Sequence, residues 1–600
     1  MRKIFIYALS LILAGQAQFN YSQAQGLIKS TLNYTRLTNG LNVPTFEGGR
    51  TDLAMNDIND DGHVDLLSIG DHGNPLINSN QQGLLIWFNN GQGNFTLHMQ
   101  GNFGYGGIAV GDANNDGFKD IGYGMHHNYS QTNFGNQLIE VALGDGTGMS
   151  WTPWDEGLAT NGETWGMFGT DLGDVNNDGL LDLISIGFGS GPGFHVYLNQ
   201  GDGTWVPSFG LLGNNSEFVI QFADLNNDGY LDFIAGHALG TAYFGDGSGN
   251  FIKNDTGLPV YGEFTPRYGV SVGDVNNNGS AGLVFANTSG GVEVYEFDNA
   301  GNSWVSCSGN LPSSGSFERT QLFDMNTDGF MDVMAFGTQT FQLWLGDGNG
   351  NWTADATFQT DLDPGSARAF RAGGDLNKNG YGDIVILANE KTGFVSWQNR
   401  LYVYAENSTP DSLWIKGLNP KGNENFYPGS VRFIQWASAE PAGENSTVKI
   451  EISAFGPEGP WWLVADSLPN NGKYQWTVPD FGSDDCFLKF TVTTENEAYT
   501  NITMLPFTII GEPTAVGKEL VGYESEATLM PNPGSGRVII NSVENVKRIA
   551  FYDSSGMLML QLDEPGKLID TGPLPDGLYV FQLITQRGKV FHGKWLKSGQ

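Results

Sequence analysis

Seven short segments carry most of the chemistry that the sequence offers. They read DINDDGHVD, DANNDGFKD, DVNNDGLLD, DLNNDGYLD, DVNNNGSAG, DMNTDGFMD and DLNKNGYGD, and begin at Asp57, Asp112, Asp174, Asp224, Asp274, Asp324 and Asp375. Alternate residues of a tight loop point inward, so Asp and Asn at positions one, three and five gather hard oxygens at one point. A ninth residue, usually Asp, returns from the next strand. Six to eight hard oxygens at about 2.3–2.6 Å is what a calcium ion requires. In the first copy Asp57, Asn59, Asp61 and Asp65 supply side-chain oxygens, His63 offers its backbone carbonyl, and Gly62 permits the sharp turn. The same roles fall to Asp112, Asn114, Asp116, Phe118 and Asp120, and to Asp174, Asn176, Asp178, Leu180 and Asp182. They fall again to Asp224, Asn226, Asp228, Tyr230 and Asp232, and to Asp324, Asn326, Asp328, Phe330 and Asp332. The last copy, Asp375, Asn377, Asn379, Tyr381 and Asp383, keeps two carboxylates. The fifth keeps one, because Gly282 stands at the closing position after Asp274, Asn276 and Asn278. About six calcium sites are expected, with a seventh at Asp274 weak or empty.

Composition favours the same cation. The 600-residue chain has 29 basic and 65 acidic residues and a formal charge of −36. It lacks the basic footprint of a nucleic-acid binder or of a protein that sits on anionic membrane. The ligand positions of the seven loops hold eighteen carboxylates, whose crowding is repulsive without metal, so calcium is expected to support stability. An EF-hand does not fit: position twelve is Ser68, Tyr123 or Ser185 rather than Glu, and the flanks read as strands.

The elements that position these loops follow from their period. Successive copies start 55, 62, 50, 50, 50 and 51 residues apart. Branched or aromatic runs such as LLSIG, LISIG and VMAFG follow the loops, and most copies add a glycine-rich turn and an aromatic, as in AYFGDGSGNF and LWLGDGNGNW. A unit of about 50 residues with four short strands is a propeller blade, and seven units make a ring. Residues 30–45 read as the outer strand of a blade whose other strands lie at 367–404. Residues 30–404 resemble the FG-GAP/VCBS repeat propellers, of which the integrin alpha-subunit head is one type. That resemblance implies calcium in hairpin loops on one face, with ligands commonly on the other.

The far face draws on scarce bases. Residues 33–404 contain eleven Lys and Arg, and five of them, Arg50, Arg267, Arg319, Arg368 and Arg371, lie just upstream of an Asp loop. Tyr105, Trp165 and Tyr268 share that window, and His127 emerges on the same side. Arginines with aromatics around a channel mouth suit a polysaccharide bearing carboxylates or sulfates. The alternative is that the arginines pair with nearby acids and hold blades together.

The chain ends are read separately. Residues 1–24 have the basic start and short apolar run of a secretory signal, and no later stretch spans a membrane. Residues 409–510 alternate apolar and polar positions and resemble an Ig-like or fibronectin-III-like β-sandwich, expected to be a spacer. Its Trp436, Trp461, Trp462 and Trp476 are read as core and edge packing. Residues 511–526 form a polar linker. Residues 527–600, with Pro531-Asn532-Pro533, Gly577-Leu578-Tyr579 and a basic end at Lys594 and Lys597, resemble the small β-sandwich C-terminal sorting domain of type IX secretion. Cys307 and Cys486 are read as two buried thiols. The expected fold is all-β: a seven-bladed propeller, a sandwich and a small C-terminal sandwich. The expected protein is a secreted or surface-bound, non-enzymatic adhesion or glycan-binding platform, with the type IX machinery and an extracellular anionic polysaccharide or surface protein as partners. The alternative is a calcium-dependent polysaccharide lyase or glycosidase, for which no nucleophile elbow, HExxH or carboxylate pair outside the loops is present.

Overall fold

The computed structural model describes residues 31–43, 51–70, 83–101, 106–125, 137–163, 166–187, 193–212, 216–261, 267–363, 365–393, 397–441, 444–511, 527–530, 537–542, 545–553, 557–586 and 590–597. The expected signal and nearly all of the expected linker fall outside them. Residues 34–406 form seven antiparallel sheets of four strands each. Blade one runs through Leu53–Asn56, Asp65–Ile69, Leu84–Asn89 and Phe95–Gln100. Blades two to six repeat this order over 108–153, 167–212, 216–253, 268–306 and 319–359. Each blade's first strand touches the next, and that of blade seven touches that of blade one, so the ring is closed.

The closure is the one expected. Blade seven takes Ala367–Ala372, Ile384–Lys391 and Trp397–Glu406 from the end of the repeats and Tyr34–Leu37 from their beginning. Tyr34 pairs with Glu406 and Leu37 with Val403. Arg36 ties this strand down through both oxygens of Asp361, at 2.6 and 2.7 Å, and lies 4.5 Å above the Tyr402 ring.

Apolar residues at alternate strand positions meet between blades rather than within them. Ile86 and Leu67 pack on Ile108 and Tyr123 between blades one and two. Phe194 and Val196 pack on Phe233 and Tyr243 between blades three and four. The aromatic after each glycine-rich turn ties the rim. Trp205, Trp304 and Trp352 donate their indole N–H to the carbonyls of Trp154, Asn254 and Cys307, just past the last strand of the preceding blade, at 2.8, 2.8 and 3.0 Å. The turn glycine also receives the loop's seventh residue. At Gly247 (φ 73°) an added Cβ would meet the Tyr230 ring at 2.2 Å, which fixes glycine there.

Residues 414–509 form two sheets around one core that includes Ile434, Trp436, Ile450 and Phe490. Trp436 and Trp476 are core residues; Trp461 and Trp462 are half-buried, and the Lys489 ammonium lies 4.5 Å from the Trp461 ring. Cys486 is a buried free thiol of this domain, whereas Cys307, in the propeller, is free but only half-buried. Residues 527–597 add a three-stranded and a four-stranded sheet around Phe551, Phe581 and Trp595. Lys597 is buried there and donates to the carbonyls of Thr571, Gly572 and Leu574. Among the described residues no helix is long and apolar enough to cross a membrane.

The sandwich is not a spacer. It lies on the propeller face that carries the Asp loops. Its Trp414 and Ala439 enter the core between blades six and seven, and its Val431 enters the core between blades two and three. A chain shortened to begin at residue 45 loses the outer strand of blade seven. We expect its melting temperature to fall by at least about 10 °C, the effect of several kcal/mol in a domain of this size. Arg36→Ala removes a partly exposed ion pair and should cost no more than about 1 kcal/mol. Equal melting of the shortened and full chains in calorimetry would refute the closure.

Candidate functional site

The hairpin between the first and second strands is set by register. The residue before each loop pairs with its closing residue: Asn56 with Asp65, Gly111 with Asp120, Gly173 with Asp182, Ala223 with Asp232, and Phe323 with Asp332. Within the loop, carboxylates and amides satisfy the backbone. The first Asp accepts the N–H of the fifth residue on one oxygen and that of the sixth on the other, as at Asp57 (3.1 and 2.8 Å) and Asp324 (3.0 and 2.8 Å). The fifth residue accepts the N–H of the seventh, at 2.9 Å from Asp228 to Tyr230. Blade five keeps this geometry, with Asp274 accepting from Asn278 and Gly279 at 3.1 and 2.9 Å.

The closing aspartates are fully buried. Each bridges two backbone donors, one at the loop start and one at the end of the blade's third strand. Asp232 accepts from Leu225 and Gly245 at 2.8 and 2.7 Å, and Asp65 from Ile58 and Asn89 at 3.2 and 2.8 Å. Asp120, Asp182, Asp332 and Asp383 repeat the arrangement. Burial pushes Asp65 and Asp120 up to about 8; their N–H bonds pull down, and the other loop carboxylates push up again. Burial likewise raises Asp57 and Asp112 to about 6 and Asp224 and Asp375 to about 7. Buried carboxylates at such spacing hold either protons or a cation. Among the described residues no three His, Cys, Asp or Glu side chains form a metal cage by themselves. The donor set is mixed: two or three carboxylates, an Asn side chain and a backbone carbonyl in most loops, all hard oxygens. That chemistry fits calcium and disfavours softer metals.

Three features escaped the sequence reading. The fourth loop residue sits at positive φ in all seven copies: Asp60, Asn115, Asn177, Asn227, Asn277, Thr327 and Lys378, between 54° and 59°. Four of these reach the next loop, with Asn115, Asn177, Asn227 and Asn277 donating to the carbonyls of Gly179, Gly229, Asn278 and Gly329. Asparagine tolerates this conformation, which is the signal that could have marked the position. Glu296 comes beside the fifth loop, where its Oε2 accepts the Asn276 amide at 2.6 Å; burial and the Asp274 charge push it up to about 6. Glu406 stands beside the seventh, accepting the Asn379 amide at 3.1 Å on its carboxylate and 2.8 Å on its carbonyl.

The far face is only partly described. Arg50, Tyr105, Trp165 and His127 lie outside the described residues, and only the backbone of Tyr268 is described. Arg319, Arg368 and Arg371 come together, lining a cavity of about 20 Å³ with Asp52, Val219 and Gly269. Blades one, four, five, six and seven all contribute, which puts the cavity on the ring axis. Arg371 pairs with Asp52 at 2.5 Å. Arg267 does not join them. It is 7% exposed, its guanidinium lies 5.2 and 5.1 Å from the Tyr261 and Phe285 rings, and it donates to the Pro259 carbonyl at 2.8 Å. Its placement is that of a packing residue, held by rings and a carbonyl rather than by the acids of the alternative reading.

The FG-GAP-like repeat family model matches residues 57–123 and 174–235. No curated protein matches the chain by sequence. Among solved structures, a lectin of Agrocybe aegerita that recognises non-reducing terminal N-acetylglucosamine is 19% identical, with 52% of this chain and 81% of that one covered and a TM-score of 0.36. An ancestral GH74 enzyme is 12% identical, with 94% and 77% covered and a TM-score of 0.36. PorZ, a surface component of the type IX secretion system of Porphyromonas gingivalis, is 12% identical, with 96% and 87% covered and a TM-score of 0.25. At these scores the likenesses carry no functional argument. The chain carries FG-GAP-like repeats on an all-β fold.

The closing aspartate has a structural task that no metal can perform for it. Asp232→Ala strands two buried N–H groups, at about 1–3 kcal/mol each. We expect a loss of about 2–6 kcal/mol measured in chelator. Unchanged stability in chelator would confine Asp232 to metal binding.

Proposed function

We propose that this is an exported calcium-binding propeller that binds an anionic ligand, an acidic polysaccharide, at the axial mouth opposite its Asp loops, without catalysis. The observation that supports the reading is the meeting of Arg319, Arg368 and Arg371 on the ring axis. Arg319, Arg368 and Arg371 line the cavity beside the Asp52 carboxylate, on a chain of formal charge −36. Guanidinium binds carboxylate or sulfate bidentately. The cavity holds no more than a water-sized group, so a chain lies across the mouth and presents one acidic group to it. The loop face is covered by the sandwich, which leaves the far face for a ligand. Calcium belongs to the loops, held by the oxygens of positions one, three and five, the seventh carbonyl and the closing carboxylate. Export follows from the signal at 1–24, and residues 527–600 are read as the domain that type IX machinery recognises.

Two tests bear on this reading. Arg319→Ala with Arg368→Ala should reduce retention on polygalacturonate at least about tenfold, the equivalent of one charge-assisted hydrogen bond, while dextran retention and melting stay as they were. Parental retention would overturn the site; new chain ends in the same samples that vanish on chelation would overturn the non-enzymatic reading. Calcium content should be about six ions per chain and fall by one with Asp224→Ala and Asp228→Ala, with a lower melting temperature. Unchanged content would overturn the loop assignment.

A further inference from the structure

Every loop touches the sandwich; the hydrogen bonds fall on loop residues one, four and six, and the seventh residues Tyr230 and Tyr381 pack on Tyr427 and Trp414 with ring centroids 4.6 and 5.9 Å apart. In loop three, Val431 donates its N–H to Asp174 Oδ2 at 2.8 Å. In loop one, the Asn471 amide donates to Asp57 Oδ2 at 3.1 Å. In loop two, Gln475 clips both backbone groups of Asp112, accepting its N–H at 2.9 Å and donating to its carbonyl at 2.8 Å. In loop four, Asn425 donates its N–H to Asn227 Oδ1 and its amide to the Asn227 carbonyl, both at 2.8 Å. Loops five, six and seven are met through the carbonyls of Asn277, Gly329 and Lys378.

We propose that the loop face is the receptor for the chain's own sandwich, and that calcium in the loops holds the two together, so that its withdrawal releases the sandwich. This rests on the calcium reading above. The argument is geometric. The docking groups sit on the same loops as the oxygens that would hold the ion, and in loops one and three they belong to the first carboxylate itself, so one conformation serves both. That conformation needs a fourth residue at φ 54–59°, which only glycine adopts freely. A loop whose carboxylates are no longer drawn together can relax this residue, and its carbonyl and side chain then swing away from their partners.

Charge alone would act in the opposite sense, since bare carboxylates attract bases. The basic contacts do not use the carboxylates. Lys416 donates to the Thr327 carbonyl, Lys421 to the Gly329 carbonyl at 3.0 Å, and Arg432, 8% exposed, to the Gly229 carbonyl at 2.8 Å and Asn177 Oδ1 at 2.8 Å. Neutralising the carboxylates leaves these bonds in place. Six residues, 407–412, join the last propeller strand to Leu413 in the sandwich core, so the released sandwich remains tethered and can redock. Linkage makes the effect reciprocal: the docked sandwich raises calcium affinity by the factor with which calcium favours docking.

Hydrogen exchange on the full chain, in calcium and in chelator, tests this. The N–H groups of Asn425, Val431 and Glu440, each bonded to a loop, should exchange at least about tenfold faster in chelator. Val448 and Ile452, inside the sandwich's central strand, should keep their protection. Unchanged docking amides in a chain that has lost its calcium would overturn the proposal, and slower exchange would show that charge prevails and overturn it too. If the whole chain opens in chelator, Arg432→Met decides: it should weaken calcium binding at least about threefold in titrations of the folded protein, and parental affinity overturns the proposal. A chain that binds no calcium fails at the earlier reading, and its metal content identifies that case.

Discussion

The structure depends on one electrostatic constraint: a turn of eight residues, repeated seven times, must satisfy its own backbone donors beside the ring axis. Carboxylates do this because a carboxylate accepts several hydrogen bonds without donating any. The first Asp of each loop folds the loop onto itself, and the closing Asp binds it to the third strand. Six closing carboxylates are buried with no cationic side chain bonded to them among the described residues, which is costly wherever two N–H bonds do not offset desolvation. Blade five, without a closing Asp, keeps the loop geometry through Asp274 and gains Glu296 nearby, so the loop fold tolerates loss of the second anchor while neighbouring blades supply the rest.

From that constraint follows the division of the propeller into two faces. The first and third strands of every blade run toward the loops, so the Asp hairpins and the glycine-rich turns emerge together, and Tyr230 or Phe330 packs on the turn glycine beside it. This face presents carbonyls to the sandwich and is covered by that domain, tethered six residues away. The opposite face receives the starts of the first strands, where the arginines collect. Two kinds of polar surface are thereby separated by a single crossing of the blade: the loop carboxylates on one side and guanidinium groups on the other.

Much of this was legible in the sequence. Asp and Asn at alternate positions gave the loops, their period gave the blade count, and the strand-like residues 30–45 gave the closure, because each depends on side-chain type at fixed spacing. The fourth loop position was not legible, since Asp, Asn, Thr and Lys all occupy it and what it needs is a backbone angle. Docking of the sandwich was hidden for the same reason: most of the groups it meets are carbonyls and N–H groups, which any residue presents. Arg267 misled because the far ends of the first strands are irregular. Pairing shifts register between Tyr268 and Ser271 in blade five, between Ser216 and Ile220 in blade four, and between Ala367 and Ala369 in blade seven. A bulge turns alternate side chains to the other face, so counting back from a loop does not fix which residues meet the axis.

The same irregularity shapes the axial site. Seven equivalent first strands would place equivalent residues around the channel, and a symmetric ring would suit a symmetric or threaded ligand. The described arginines instead come from blades six and seven, with Asp52 of the blade-one side answering Arg371. The described arginines are therefore off-centre, and the small cavity they line admits a single group. Under the proposed function, such a surface takes one carboxylate or sulfate and leaves the rest of a chain to lie across the neighbouring blades. The segments before the first strands differ in length and sequence from blade to blade, and under the proposed function recognition along the chain falls to them, while the repeated Asp loops stay uniform because they serve the fold.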